Sequence, residues 1–260
     1  MSILVESALL GHGLRSISDT ELLSKWPSKD LNIAWIEDKQ IRIGSLEDFI
    51  KFRKNSQCSA RADGLAVKEQ QFQDNSFLTA SGTMVAAERF GFDIVVSAGI
   101  GGVGDIVDEP FCYDLVALSL SNVVLIATGP KDMLDHQATF DWLKQNNVKI
   151  FGNKFPLYNG YIFKLDSFPL EFSLQNNKEI LKDAQHRLIL NPIDQSKRIQ
   201  NITILNKGIQ KGKEAESAGE YYHPAVNSYF DEVTKGLSSN IQFDSLIDNI
   251  LLAKVVLQYL

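Results

Sequence analysis

A chain of 260 residues has room for one large α/β domain or two small ones, with a sizeable core in either case. At 44% apolar and 22% charged residues it is neither disordered nor fibrous, and a net charge of -6 argues against a nucleic-acid or anionic-membrane surface. Two cysteines, Cys58 and Cys112, make no disulfide or metal framework; with no signal peptide or apolar run of membrane length, a reduced, cytoplasmic setting is the expectation.

Ile3-Leu-Val5 reads as a short strand ending at Glu6-Ser7 and passing into Leu9-Leu-Gly-His12-Gly13. An acidic residue at a strand end beside a glycine-flanked histidine suits acid/base chemistry, although such groups are more often solvated or hydrogen-bonded locally. Ser18-Asp-Thr-Glu21 is a capping box, which predicts a helix over 19–25. Residues 32–36 and 41–44 read as strands joined by a polar turn, and 46–54 as an amphipathic helix. From 55 to 75 the composition turns polar, giving either a linker-like loop or the solvated face of a helix around 66–72; Arg61 there is an anion ligand or a solvated side chain.

The small, apolar stretch 77–90 predicts a helix packed closely on a sheet, and 93–98 a buried strand running into Gly99-Ile-Gly101-Gly102-Val-Gly104. Those letters match the dinucleotide fingerprint, but the acidic, helix-breaking 105–110 follows where a helix should open, so the glycines read as a tight loop. Val123-Val-Leu-Ile-Ala-Thr128 is apolar enough for a strand buried on both faces, stopped by Gly129-Pro130 ahead of a predicted helix over 133–146. Lys131 thus falls at a strand's carboxyl end, the ligand edge of an open α/β sheet, and in a helix's first turn. It reads either as a solvated lysine or as an amine poised for Schiff-base chemistry. Further on, 148–151 and 188–190 predict strands, 154–158 a loop at the same edge as Lys131, and 174–184, 224–235 and 244–258 helices; the charged, glycine-punctuated 208–219 predicts a mobile loop.

Several of these segments together carry a family likeness. The order Val5-Glu-Ser-Ala-Leu-Leu-Gly-His-Gly13, Thr79-Ala-Ser-Gly-Thr-Met84, Ser97-Ala-Gly-Ile-Gly-Gly-Val103, Ala127-Thr-Gly-Pro-Lys-Asp-Met-Leu-Asp135, Lys154-Phe-Pro-Leu-Tyr158 and Asn191-Pro-Ile193 resembles the pseudouridine-5′-phosphate glycosidase family, also called indigoidine synthase A-like. The resemblance spans most of the chain and implies one domain over 1–260, a three-layer α/β/α architecture with a mixed central sheet, and a homotrimer. It implies a lyase or glycosidase (hydrolase-type) activity on a small-molecule nucleoside or sugar phosphate: reversible cleavage of the carbon–carbon glycosidic bond of pseudouridine 5′-phosphate to uracil and ribose 5-phosphate. By motif match Lys131 is the Schiff-base lysine and Glu6 the proton donor and acceptor. His12, Thr79 and Ala80 are implied in substrate binding, together with Cys112, Tyr113 and Asp114, which ends the counterpart of the family's Asp-x-Ser-Ala-Asp segment. Asn249 falls where a family asparagine reads uracil.

The chain departs from the family pattern in two places. Gly104 replaces a histidine after Gly-Gly-Val, and Phe111-Cys112-Tyr113-Asp114 keeps only the second of two aspartates, the lost one being linked to manganese in the family. Asp108 and Glu109 are the substitutes the sequence offers for that ion. Gln57 or Cys58 stands where the family carries a phosphate-binding lysine, leaving Arg61 or Lys54 as the nearest cations. Two alternatives to the family reaction follow: a related lysine-dependent lyase or hydrolase acting on another sugar phosphate or glycoside, and a degenerate, non-catalytic ligand-binding homologue.

Overall fold

A computed structural model describes residues 2–56, 58, 60–107, 110–220 and 222–260. The chain runs through β1 (Ile3–Val5), a π-helical turn (Leu9–Gly13), α1 (Asp19–Lys25), β2 (Asn32–Glu37), β3 (Gln40–Gly44) and α2 (Leu46–Ser56). Next come β4 (Arg61–Ala62), α3 (Gly64–Glu69), β5 (Ser76–Leu78), α4 (Ala80–Phe90), β6 (Ile94–Val96), β7 (Gly99–Ile100), α5 (Tyr113–Leu120), β8 (Val124–Ala127) and β9 (Gly129–Pro130). The remainder is α6 (His136–Gln145), β10 (Lys149–Gly152), β11 (Leu157–Tyr158), β12 (Phe168–Pro169), β13 (Phe172–Ser173), α7 (Lys178–Asp183), β14 (Arg187–Leu190), α8 (Ile202–Ser217), α9 (Tyr222–Val233) and α10 (Leu237–Val256).

The main sheet has the order β13-β10-β14-β8-β6-β1-β2-β5-β4, with β3 on β2. Every pair from β13 to β2 is parallel, and the antiparallel contacts enter where β2 meets β3 and β5. Alternation along the strands explains the layers. Leu4, Val95, Leu125, Leu188 and Ile150 face α3 to α6, packing on Val67, Met84, Leu115 and Phe140. Val5, Val96, Ile126 and Ile189 face the other side, where α1, α2 and α8 to α10 supply Leu22, Phe49, Leu205, Phe230 and Leu246. The result is a three-layer α/β/α fold around a mixed sheet. The apolar run stops on a polar residue at the carboxyl end of each central parallel strand: Glu6 after β1, Ser97 after β6, Thr128 after β8, Asn191 after β14 and Asn153 after β10. These five side chains mark the functional edge.

The strand and helix cores match the sequence expectation, with three corrections. Phe77 and its neighbours form β5 before α4 begins at Ala80, because Thr79 takes the cap: its hydroxyl accepts the Gly82 N–H at 3.4 Å. Lys131 does not open a helix; α6 begins at His136 behind the cap Asp135, so the helix dipole expected at the lysine acts elsewhere. Residues 208–219 are not a mobile loop but largely the second half of α8. The glycines there serve close packing: a Cβ on Gly208 would overlap the ring of Phe230 in α9, and one on Gly212 the ring of Tyr222.

That packing gives a test. In an open helix, Gly208→Ala would gain about 1 kcal/mol from helix propensity. Here the added methyl meets a fully buried Phe230 ring, and overpacking of that kind costs about 1–3 kcal/mol. Urea unfolding should therefore show net destabilisation; a more stable variant would refute the close-packing account of α8 and α9.

Candidate active site

Glu6 leaves β1 at the functional edge with its N–H on Val96 O at 2.9 Å, so the backbone fixes where its side chain starts. The carboxylate is buried and accepts a hydrogen bond from the Ser97 hydroxyl. Burial pushes its pKa up to about 7; the Ser97 hydrogen bond opposes this, nearby Asp114 adds to it, and the charges of Lys131 and Arg61 pull it down. A carboxyl poised near neutrality can both give and take a proton, which is what acid/base work requires.

Lys131 sits four residues past β8, in a turn held from several sides. β9 pairs with β7, and the Lys131 N–H donates to Ile100 O at 3.1 Å. The Tyr158 hydroxyl donates to Pro130 O at 2.7 Å, and the His136 ring nitrogen lies 3.0 Å from Lys131 O. The next residue, Asp132, is buried and takes the backbone N–H groups of Tyr161, Ile162 and Phe163 at 2.7, 2.8 and 3.0 Å. Burial pushes Asp132 up to about 6, against those three hydrogen bonds and the charge of Arg198. Arg198 in turn is buried and donates to Asn159 O and, at 2.6 Å, to Ile193 O. Sequence reasoning passed over Asp132 and Arg198; the available signal was the aspartate following Gly-Pro-Lys, which only a fold could show to be interior.

Glu6 and Lys131 share one cavity of about 40 Å³, whose wall also includes Arg61, Tyr161, Asn227 and Gln242. Arg61 comes from β4, at the end of the sheet order. The other candidate cation, Lys54, pairs with Asp19 at 2.6 Å, an aspartate that also holds Arg53. Gln57 lies outside the described residues, while Cys58 is half-buried, its thiol pushed up by burial.

The remaining predicted residues fall into three settings. His12 lies in the π-helical turn, edge-on to Phe77 at 4.7 Å; burial and the charges of Arg61 and Arg15 push its pKa down to about 4, so the ring is neutral, and its Nε2 is buried without a partner. Thr79, Ala80, Cys112, Tyr113 and Asp114 gather where the starts of α4 and α5 meet the glycine loop. Asp114 takes the Ser81 N–H at 2.8 Å with one oxygen and the Gly101 N–H at 2.9 Å with the other. Thr79 caps α4 and Ala80 is its buried first residue; the Cys112 sulfur fills the space a Gly101 side chain would need, and the Tyr113 ring packs against Gly64. Asn249, on α10, is fully buried with its amide engaged on both sides: it donates to Ser97 O at 2.8 Å and Thr128 Oγ1 at 3.1 Å, and accepts from Asn191 at 3.0 Å. Asn191 accepts in turn from Asn153 at 2.9 Å, so an amide chain laces the ends of β6, β8, β14 and β10 to α10.

Asp108 and Glu109, the residues expected at a manganese ion, lie outside the described residues. Among the described residues no three His, Cys, Asp or Glu side chains cluster as a metal site, and Asp114 spends each oxygen on a backbone N–H. The described residues therefore do not fit the ion by themselves, and no step below passes through one. Among the same residues, no helix is long and apolar enough to cross a membrane.

The sequence profile of the family described as indigoidine synthase A like protein matches residues 32–257. The chain is 24% identical to a protein named pseudouridine-5′-phosphate glycosidase from Petrotoga mobilis, over 95% of this chain and 88% of that relative. Its fold matches the crystal structure of an indigoidine synthase A-like protein from Thermotoga maritima with a TM-score of 0.82 at 20% identity, covering 98% of this chain and 91% of that one. It also matches the prealnumycin C-glycosynthase AlnA, solved in complex with ribulose 5-phosphate, with a TM-score of 0.76 at 16% identity over 95% of this chain and 87% of that one.

The raised pKa of Glu6 has a stability signature. Because the folded value lies above the ordinary 4.5, folding favours the protonated form; this stabilisation is complete below about pH 4.5 and is lost as the pH rises through about 7. Between pH 5 and 8 the wild type should lose about 2–3 kcal/mol of unfolding free energy that Glu6→Gln keeps. Parallel pH profiles in urea unfolding would mean that Glu6 titrates as an ordinary carboxylate.

Proposed function

The chain belongs to the family of indigoidine synthase A-like proteins, and on that footing we propose that it cleaves, reversibly, the carbon–carbon glycosidic bond of pseudouridine 5′-phosphate. Uracil and ribose 5-phosphate would be the products. The observation that carries this reading is the meeting of Glu6 and Lys131, from two separate family motifs, in the wall of one cavity. The name of the Petrotoga mobilis relative points the same way.

A C-glycoside has no heteroatom leaving group, so protonating an exocyclic oxygen cannot release the base. Addition of the Lys131 amine to the anomeric carbon breaks the ring carbon–oxygen bond, and Glu6 in its acid form delivers the proton that the ring oxygen takes up. The nitrogen lone pair then forms the iminium as the carbon–carbon bond breaks; its electron pair goes to the uracil carbon, which accepts a proton. Water adds to the iminium, releases ribose 5-phosphate and restores the amine, with Glu6 carrying protons in both directions. Arg61, on the cavity wall, is the cation placed to meet substrate phosphate.

A second reading, the same lysine chemistry on another sugar phosphate or glycoside, draws support from Lys54, one of the two cations nearest the lost phosphate-binding lysine, which is committed to Asp19. Turnover of pseudouridine 5′-phosphate compared with other C-glycosides separates the two.

Mixing the protein with ribose 5-phosphate and borohydride should give a reduced sugar-phosphate adduct by intact mass, absent from Lys131→Ala. Glu6→Gln should still form the adduct while turning over pseudouridine 5′-phosphate about 10²–10⁴-fold more slowly, and the wild-type rate should inflect near pH 7, where Glu6 titrates. An unlabelled wild type at millimolar sugar phosphate would refute the lysine mechanism.

A further inference from the structure

Helix α10 lies on the sheet with Leu246, Ile250 and Ala253 buried in the core. Two side-chain amides stand on the same face, Gln242 and Asn249, about two turns apart along the helix. They are used differently. Asn249 is fully buried and commits its amide to Ser97 O, Thr128 Oγ1 and Asn191, which fastens α10 to the strand ends beside Glu6. Gln242 is 6% exposed, yet among the described residues its side-chain amide makes no hydrogen bond; the Ser245 hydroxyl, at 2.8 Å, goes to its backbone carbonyl instead. Gln242 stands in the wall of the cavity shared by Glu6, Lys131 and Arg61. Asn227 of α9, half-buried, stands in the same wall and likewise makes no side-chain hydrogen bond among the described residues.

Buried side-chain amides are nearly always hydrogen-bonded, since burial removes the water that would otherwise serve them. One left unbonded at a reacting centre is completed by the ligand. The bonds of Asn249 and the core packing of Leu246 hold α10 in one rotation, so Gln242 is presented to the cavity without any movement of the helix. In the proposed reaction the other groups of that wall have tasks: Lys131 at the anomeric carbon, Glu6 in proton transfer and Arg61 at the phosphate. The part of the substrate still without a partner is the base. A uracil joined through carbon carries two N–H and two C=O groups in alternation around its ring. The planar amide of a glutamine, with one acceptor and two donors, matches a neighbouring N–H and C=O pair.

We propose that Gln242 is the specificity-determining residue that reads the nucleobase, so that the site selects a C-linked pyrimidine with an unsubstituted N–H beside a carbonyl. This rests on the lysine reading above. The asparagine that the family resemblance puts on the base, Asn249, could reach it only by giving up a bond, whereas the amide two turns earlier on the same face is free to do so.

The test uses the full chain and three substrates: pseudouridine 5′-phosphate and its N1-methyl and N3-methyl derivatives. Values of kcat/KM are measured for the wild type, Gln242→Ala and Gln242→Glu, with melting temperatures alongside. Borohydride trapping with ribose 5-phosphate, which carries no base, runs in parallel. The wild type should favour the parent over at least one methyl derivative by about 10–100-fold. In Gln242→Ala that preference should collapse to a few-fold, and kcat/KM for the parent should fall by about 10–100-fold, while ribose 5-phosphate labels Lys131 at the wild-type rate. Should the alanine variant fail to fold, Gln242→Glu decides: it keeps the shape, lacks the N–H donors, and should lose about tenfold on the parent with labelling intact. A wild type that treats the three substrates alike, a preference that survives in Gln242→Ala, or a Gln242→Glu as fast as the wild type overturns the assignment. Labelling that slows in step with cleavage also overturns it, by putting Gln242 on the sugar. Labelling of the wild type without cleavage of any of the three does so too and leaves the lysine chemistry standing. No adduct in the wild type overturns the lysine reading itself.

Discussion

The functional edge depends on one buried carboxylate that does no chemistry in the proposed reaction. Asp132 gathers three successive N–H groups, from Tyr161, Ile162 and Phe163, and so ties the segment after β11 to the turn that carries Lys131. Three donors on one carboxylate offset much of its desolvation, yet burial still prevails and its pKa stays raised. An interior charge of this kind is strongly destabilising to leave unpaired, so the segment and the turn hold each other in register. Arg198 braces the same loop through Asn159 and Ile193. A lysine nucleophile acts only when its amine lies within reach of one carbon, and rigid support of the adjoining backbone is how a side chain with four rotatable bonds is aimed.

Three buried carboxylates at this edge differ in the donors they receive. Asp114 receives backbone N–H groups from the first turn of α4 and from the glycine loop, and serves as a clamp between them. Asp132 receives three and serves as a clamp between loops. Glu6 receives the Ser97 hydroxyl, and burial pushes its pKa up to about 7 against that bond. Backbone N–H groups engage both oxygens of Asp114 and of Asp132, whereas one hydroxyl donor leaves the second Glu6 oxygen for a substrate. Assigning acid/base work to Glu6 and structural work to the other two follows from this count of donors.

Strand positions were legible in the sequence because a sheet covered on both faces needs uninterrupted apolar runs, and 93–98 and 123–128 are such runs. The α1 cap was legible because Ser18 and Glu21 act within a few residues of each other. What failed was the reading of glycine. In 208–219 it signals two helices in close contact, a fact held by Phe230 and Tyr222 far along the chain. Lys131 and Glu6 were legible as candidates from their places at strand ends, the motif resemblance gave them their roles, and their meeting in one cavity belongs to the fold. Asp132, Arg198 and the amide chain from Asn153 to Asn249 were not legible, since burial decides their role and local pattern carries little of it. Asn249 illustrates the limit: the resemblance puts it on a base, whereas here its amide joins α10 to β6, β8 and Asn191, so contact with a ligand would require it to exchange one of those bonds.

The loss of the family's phosphate-binding lysine reads differently once the sheet is assembled. Lys54, the near substitute in sequence, shares Asp19 with Arg53, and a lysine so placed balances α1 against α2. Arg61 comes in from β4 at the end of the sheet order, and its charge is felt by both Glu6 and His12. Burial is the larger influence on both groups, and the guanidinium adds to it at His12 while opposing it at Glu6.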